Sequence, residues 1–194
     1  FDRYGKLKRT YEALTTLTQE TKDTIDHLES ISTSMDIARL EEDLVQIKEE
    51  LTEYGYIKRH YTGGKKVKIT SRPFHYLSSD GFHIYVGKNN YQNDELTFKF
   101  ATGNDWWFHA KGIPGSHVVV KTEGKELPDR TFEEAGRLAA YYSKGREQEK
   151  VEIDYVQKKQ VKKPAGAKPG FVVYYTNYSL MIDSDISGIE KLSD

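Results

Sequence analysis

Cysteine is absent from the 194 residues. That excludes disulfides and thiolate metal sites, and it disfavours a small secreted scaffold held by bridges. Long apolar runs are absent too, and nothing approaches the ~20 residues that a membrane-spanning helix needs. Neither an internal repeat nor a low-complexity tract is visible. Hydrophobic residues make up 37% of the chain, few for one compact globule. A polar, elongated element with little interior is therefore expected beside a folded domain. The sequence also lacks H-E-x-x-H and G-x-S-x-G, which removes two common routes to hydrolysis. It opens on Phe1 rather than Met and is expected to be a piece of a longer protein, so the missing leader segment excludes nothing.

What is present divides by charge. The formal net charge of −1 hides nine Lys/Arg against thirteen Asp/Glu in residues 1–62, and twenty against seventeen in residues 63–194. The second part is the basic one. It is also where the hydrophobic period changes from helical to two.

Residues 1–62 carry heptad spacing. Leu7, Tyr11, Leu14, Thr18, Thr21, Ile25 and Leu28 follow one another at alternating steps of four and three, and Ile37, Leu40, Leu44, Ile47, Leu51 and Tyr54 form a second series. Such stripes predict two helices. The intervening Ile31-Ser32-Thr33-Ser34-Met35 predicts the break, with Thr33 or Ser34 as the cap of the second helix, and Gly55 suits its C-terminal end. The reading is an antiparallel helical hairpin, a coiled-coil arm. The Gly/Lys segment Tyr61–Lys68 is expected to be a linker, too short and too isolated from any following helix to cradle phosphate.

Residues 63–194 predict an α+β domain, with a mixed or antiparallel sheet and one main packed helix. Pro73–Leu77 and Phe82–Val86 alternate around a Ser78–Gly81 turn. Gly87–Asn93 reads as a polar loop and Leu96–Phe100 as a third strand. Thr131-Phe132-Glu133-Glu134 has the form of a capping box, with Thr131 as N-cap of a helix stopped by Gly145. Strands are expected again at Val151–Val156, Gly170–Tyr175 and Tyr178–Ile182.

The centre of that domain is Asp105–Val120, D-W-W-F-H-A-K-G-I-P-G-S-H-V-V-V. At a two-residue period Trp106, Phe108 and Ala110 face a core, while Asp105, Trp107 and His109 face the other way. Ile113-Pro114-Gly115-Ser116 fits a type II turn with Gly115 at positive φ. If Val118 and Val120 return to the core, His117 joins Trp107 and His109. An open face of indole and imidazole would offer stacking platforms for unpaired bases, each worth ~1–3 kcal/mol. The alternative is burial under a second layer, which would make Asp105 and His109 a structural pair.

Around this face lie cations. Lys158, Lys159, Lys162, Lys163 and Lys168 fall in eleven residues without an acid, a footprint for phosphates that could equally be a solvated loop. Lys144 and Arg146 add cations at the C-terminus of the predicted helix, where they also complement its dipole. Asn89, Asn90, Gln92 and Asn93 can read base edges or 2′-hydroxyls, or simply build a turn. Asp105, His109 and His117 resemble a ligand set only superficially. Ser116 beside His117 is better explained by the turn than as a nucleophile. No metal and no cofactor is expected, and the chain reads as a binding module, not an enzyme.

Several of these segments carry a family resemblance over the last two-thirds of the chain. D-x-W-x-H at 105–109, P-G-S-H-V at 114–118, S-S-D-G-F-H-I-Y-V-G-K-N-N-Y-Q-N-D at 78–94, L-A-A-Y-Y-S-K at 138–144 and the run 151–170 together resemble the NFACT-R domain. That domain occurs in bacterial fibronectin-binding protein A-like proteins and in NEMF-type ribosome quality-control factors. Tyr4-Gly5-Lys6-Leu7-Lys8 resembles the segment after the tip of the family's coiled coil. The resemblance implies an RNA-binding domain at 63–194 behind an arm at 1–62. Its factor would bind stalled large ribosomal subunits and tRNA, support C-terminal alanine tailing, and reside in the cytoplasm on ribosomes. The N-terminal region and the helix-hairpin-helix element of that factor lie outside this sequence. By motif, Asp105, Trp107, His109, Ser116 and His117 would contact RNA, with Lys88, Asn89, Gln92 and Asn93 beside them. The family often has Arg where this chain has Lys88, and lysine lacks the bidentate fork. The rival implication is an adhesin for fibronectin or fibrinogen at the cell surface, with no membrane insertion.

Overall fold

Helix comes first, and it runs further than the spacing suggests. The computed structural model describes residues 2–58 and 68–193; nearly all of the expected 61–68 linker, with the boundary drawn there, lies outside them. Helix α1 is continuous over Asp2–Ile37. The expected break at Ile31–Met35 is corrected. Thr33 and Ser34 do not cap; their hydroxyls donate to the carbonyls of Glu29 and Ser30 inside the helix. The turn falls at 38–42, and α2 covers Asp43–Glu53. Its start is secured by the Asp43 carboxylate, which accepts the backbone N–H groups of Arg39 and Leu40 at 3.0 and 3.1 Å. Gly55 follows with φ 76°, as a C-terminal glycine should.

The two helices form an antiparallel hairpin in which α2 meets only the last third of α1. His27 packs edge-on to Tyr54, and Ile31, Ile37 and Ile47 are buried. Leu7, Tyr11, Leu14, Leu17, Ile25 and Leu28 stay exposed.

The rest is an antiparallel sheet built on both faces. Strands β1 (Phe74–Leu77), β2 (His83–Val86), β3 (Trp106–Ala110), β4 (Val118–Val120), β5 (Val151–Gln157), β8 (Tyr178–Ile182) and β9 (Glu190–Ser193) are ordered β8-β5-β3-β4-β2-β1-β9. Helix α4 (Asp129–Tyr141) lies on one face, over Phe108, Ala110, Val118, Val120, Ile84 and Ile153. Ile37, the last residue of α1, enters the same core. The opposite face carries Trp107, Val119 and Val156, covered by Leu96 and by a separate ribbon, β6 (Val161–Lys162) with β7 (Val173–Tyr174).

That second layer contains two further departures. Leu96–Phe100 is a π-helical turn, not a strand; it continues α3 (Asn90–Glu95), which occupies the expected polar loop. The strand expected over Gly170–Tyr175 shrinks to the two residues of β7. Thr131 is not an N-cap either. Pro128 precedes α4, and the buried Thr131 hydroxyl bonds to Ser78 and Asp80, tying the helix to the β1–β2 turn.

Candidate nucleic-acid interface

The G-K-N-N-Y-Q-N-D segment folds inward. Asn89 caps α3, its Oδ1 accepting the N–H of Gln92 at 3.0 Å. That places Lys88, Asn89, Asn90 and Gln92 against the helical hairpin. Lys88 is 2% exposed and its ammonium meets the Asp43 carboxylate at 2.9 Å. Asn89 donates to Gln46 at 3.0 Å. Gln92 donates to Gln46 and Ser71, and its carbonyl accepts the Lys88 N–H. Asn90 donates to Ser30 and Glu50, and Glu50 in turn meets His27 at 2.9 Å. Burial favours the neutral acid at Asp43, but Ser71, Lys88 and two backbone donors overcome it and hold the carboxyl below its usual range. Lys88, Asn89 and Gln92 therefore join the arm to the sheet, with their side chains buried and turned to partners inside the protein.

In the D-x-W-x-H row Asp105 and Trp107 are buried and His109 is half-buried, so the expected open stacking face is corrected. Trp107 is 0% exposed. Its ring lies 5.0 Å from Tyr174, 5.6 Å from His109 and 5.1 Å from His117. The register did come out as expected: Trp106↔Val120, Trp107↔Val119 and Phe108↔Val118 put His117 on the Trp107 side. Its Nε2 faces the Gly170 carbonyl at 3.1 Å, and a carbonyl only accepts. Nε2 thus carries the proton, and Nδ1 accepts the Thr97 hydroxyl at 2.8 Å. Burial, with His109 and Lys163 nearby, keeps His117 neutral and well below its ordinary pKa. His109 keeps part of its surface accessible, yet burial pushes it down to about 4.

Asp105 sits at the far end of β3. It accepts from Lys121 at 2.5 Å and from the N–H groups of Thr102 and Thr122 at 2.7 and 3.0 Å. Burial opposes ionisation there, and those donors outweigh it. Asp105 and His109 are therefore separate, not a pair. Ser116 donates to the Gly87 carbonyl at 2.5 Å, and Asn93 accepts the His117 N–H at 3.0 Å. Positive φ in the β3–β4 connection belongs to Gly112 (67°), not Gly115. Gly115 is needed for closeness instead: a Cβ there would lie 2.9 Å from Ser143.

The cations divide. Lys163 pairs with Asp94 and donates to the Lys168 carbonyl, closing the loop over His117. Lys158 lies 5.6 Å over the Phe98 ring. Lys144 pairs with Glu29 of α1 at 3.2 Å, and Arg146 stacks 3.9 Å over Tyr141. Lys159 and Lys162 are exposed and have no ion-pair partner among the described residues. Of the fifteen expected contacts, these two are the ones fully available to phosphate.

Residues 72–176 match the model described as the NFACT protein RNA binding domain, and residues 1–70 match that of the NFACT N-terminal and middle domains. The chain belongs to the NFACT family. Among curated NFACT relatives, the Rqc2 homolog RqcH of Streptococcus suis is 46% identical over 94% of this chain and 32% of its own length. That of Bacillus subtilis is 35% identical over 99% of this chain and 34% of its own. The chain thus spans about a third of those relatives. A solved structure, the C-terminal of the fibronectin/fibrinogen-binding protein from S. suis, superposes with a TM-score of 0.88 at 44% identity, covering 98% of this chain and 76% of that one. The α+β fold with its helical hairpin is that of this solved neighbour.

Sequence reasoning missed the polar partners of these residues: the buried Asp43, Gln46, Glu50, Ser71 and Thr97, and the half-buried Asp94. A signal existed. Asp43, Gln46 and Glu50 are spaced three and four apart, a polar stripe with the period of a buried helix face. The covered second face was also signalled by Val118-Val119-Val120, an unbroken apolar run of the kind that strands buried on both sides carry.

Proposed function

We propose that this chain is the RNA-contacting part of a ribosome quality-control factor, acting by binding rather than catalysis. The observation that carries this reading is the match of the NFACT RNA-binding model to the sheet domain, in relatives named as Rqc2 homologs. The factor would work in the cytoplasm on large subunits holding peptidyl-tRNA and support C-terminal alanine tailing. Phosphate contact falls to the outward lysines, Lys159 and Lys162, with Lys158 beside them. The buried D-x-W-x-H and G-K-N-N-Y-Q-N residues act by setting the shape of that surface and the attachment of the arm.

The test is tRNA binding by the chain across a salt series. Binding that weakens steeply with salt is expected, with a slope reduced by about 1–2 in Lys159→Ala/Lys162→Ala, since each phosphate contact contributes roughly 0.7–0.9. Absence of binding at low salt would refute the reading. The name of the solved neighbour favours a second one, a surface for fibronectin or fibrinogen. Saturable binding of either protein, undiminished by competing tRNA, would support it.

A further inference from the structure

With Trp107 enclosed, a different set of rings is left at the surface. Three strands meet at one end of the sheet. Trp106 opens β3 opposite Gln157, the last residue of β5, and Tyr178 opens β8 opposite Tyr155. Tyr178 is 60% exposed, on the outermost strand of the sheet order. It stacks on Tyr155 with centroids 5.5 Å apart and planes at 26°. Trp106 lies 5.8 Å from Tyr155 and 6.4 Å from Tyr178. Neither Trp106 nor Tyr155 is fully buried.

The chain leaves β5 at this same end as Lys158-Lys159. Their N–H groups donate to the carbonyls of Asp105 and Gly103 at 2.8 and 3.1 Å, which pins the two lysines to the start of β3. Acids nearby include Asp105, buried and compensated by Lys121, Asp154, which accepts from Tyr174 and Ser179, and Asp129 at the start of α4, close enough to act on the Tyr155 phenol. A half-exposed ring already held against a second ring loses little freedom when something stacks on it. Four residues along the chain from Tyr155, at this same end of the sheet, Lys159 is exposed and has no ion-pair partner among the described residues.

We infer that this corner is a stacking site for an unpaired RNA base, with Tyr178 as the platform and Lys159 taking an adjoining phosphate. This deepens the RNA-binding reading and rests on it. The ligand must be unpaired, because paired bases in an A-form helix offer no free π face to a side chain. Sequence preference at this corner is weak, since every base has such a face.

The experiment uses the 194-residue chain and two labelled RNAs read by fluorescence anisotropy over a salt series. One is an unstructured oligoadenylate of about ten nucleotides, within the usual single-strand site size; the other is a hairpin duplex with as many phosphates. Tyr178→Ala is expected to weaken the single strand roughly tenfold at every salt, with the salt slope and the duplex unchanged. Tyr178→Phe keeps the ring and should bind as the parent does. Lys159→Ala should reduce the single-strand slope by about 0.7. If the parent binds RNA and Lys159→Ala/Lys162→Ala weakens it while Tyr178→Ala changes nothing, the corner is refuted and the RNA reading stands. A Tyr178→Ala loss equal on both RNAs, or reproduced by Tyr178→Phe, also refutes stacking. Should the parent bind neither RNA at low salt, the functional reading itself fails.

Discussion

At the scale of single residues, the signature side chains have structural work that mutation should expose. Trp107 fills the second core, and its indole N–H finds no acceptor among the described residues. Trp107→Ala should cost about 3–5 kcal/mol of stability, as large-to-small core changes do. Trp107→Phe should cost less than that, because it also removes a buried, unsatisfied donor. Denaturant midpoints of the two variants check the order, and equal losses would contradict it. The histidines give a pH dependence with a definite sign. His109 and His117 are both held neutral below the ordinary value near 6.5, His109 at about 4. In the unfolded chain they take up protons first on acidification, so the unfolded state gains stability as pH falls. The folded chain should therefore be most stable above pH ~6.5 and lose up to about 1.4 kcal/mol per histidine per pH unit on the way down toward 4. Asp43 and Asp105 add their share only lower, below the carboxylate value of 3.8. Urea midpoints at pH 7, 6 and 5 test this, and a rise on acidification would overturn the assignment of neutral rings.

At the scale of elements, α1 is two things in one helix. Up to about Ile25 its heptad residues are exposed, and Thr15, Thr18, Thr21 and Thr24 turn their hydroxyls back to carbonyls four residues earlier. From His27 on, it is packed. A helix without tertiary contacts is marginal in water, so amides before Ile25 should exchange at rates near those of an isolated helix, and those of 31–37 should be protected. Uniform protection along α1 in hydrogen exchange would count against this division. Much of the layout was legible in the sequence: the hairpin, β1 to β5 near their observed bounds, α4 by its stripe, and the His117 register. What escaped on the second face of the sheet shares one cause. Alternation shows which residues of a strand face together; it does not show whether a layer covers the second face. The Asp105–His109 row was therefore readable as open, although Val118-Val119-Val120 spoke against that. Likewise Leu96–Phe100 alternates like a strand, yet its Leu96 and Thr97 serve the layer over Trp107 and His117 as a helical turn.

At the scale of the whole molecule, the polar contacts between hairpin and sheet decide what can be cut away. Lys88–Asp43, Asn89–Gln46, Asn90–Glu50 and Gln92–Ser71 are buried donor–acceptor pairs with one member on each side of residues 59–67, save Ser71, which lies just beyond. Ile37 adds an apolar contact to the main core. Breaking a buried ion pair by removing one partner costs about 3–5 kcal/mol, and each unsatisfied amide a further ~1–3 kcal/mol. A chain beginning at Lys68 keeps Lys88, Asn89, Asn90 and Gln92 but loses Asp43, Gln46 and Glu50. In water those groups are resolvated, which offsets part of the cost, yet α3 loses the surface it was built against. Its Tm should drop by more than about 10 °C relative to the full chain, since 1 kcal/mol moves a domain of this size by roughly 2–8 °C. A chain beginning at Asp23 loses the outer, exposed stretch of α1, and its Tm should move by no more than a few degrees. Thermal unfolding of the two truncations side by side reads the difference. Similar Tm values for both would mean that the helical hairpin is an appendage, and that the buried K-N-N-x-Q segment stabilises the sheet domain without it.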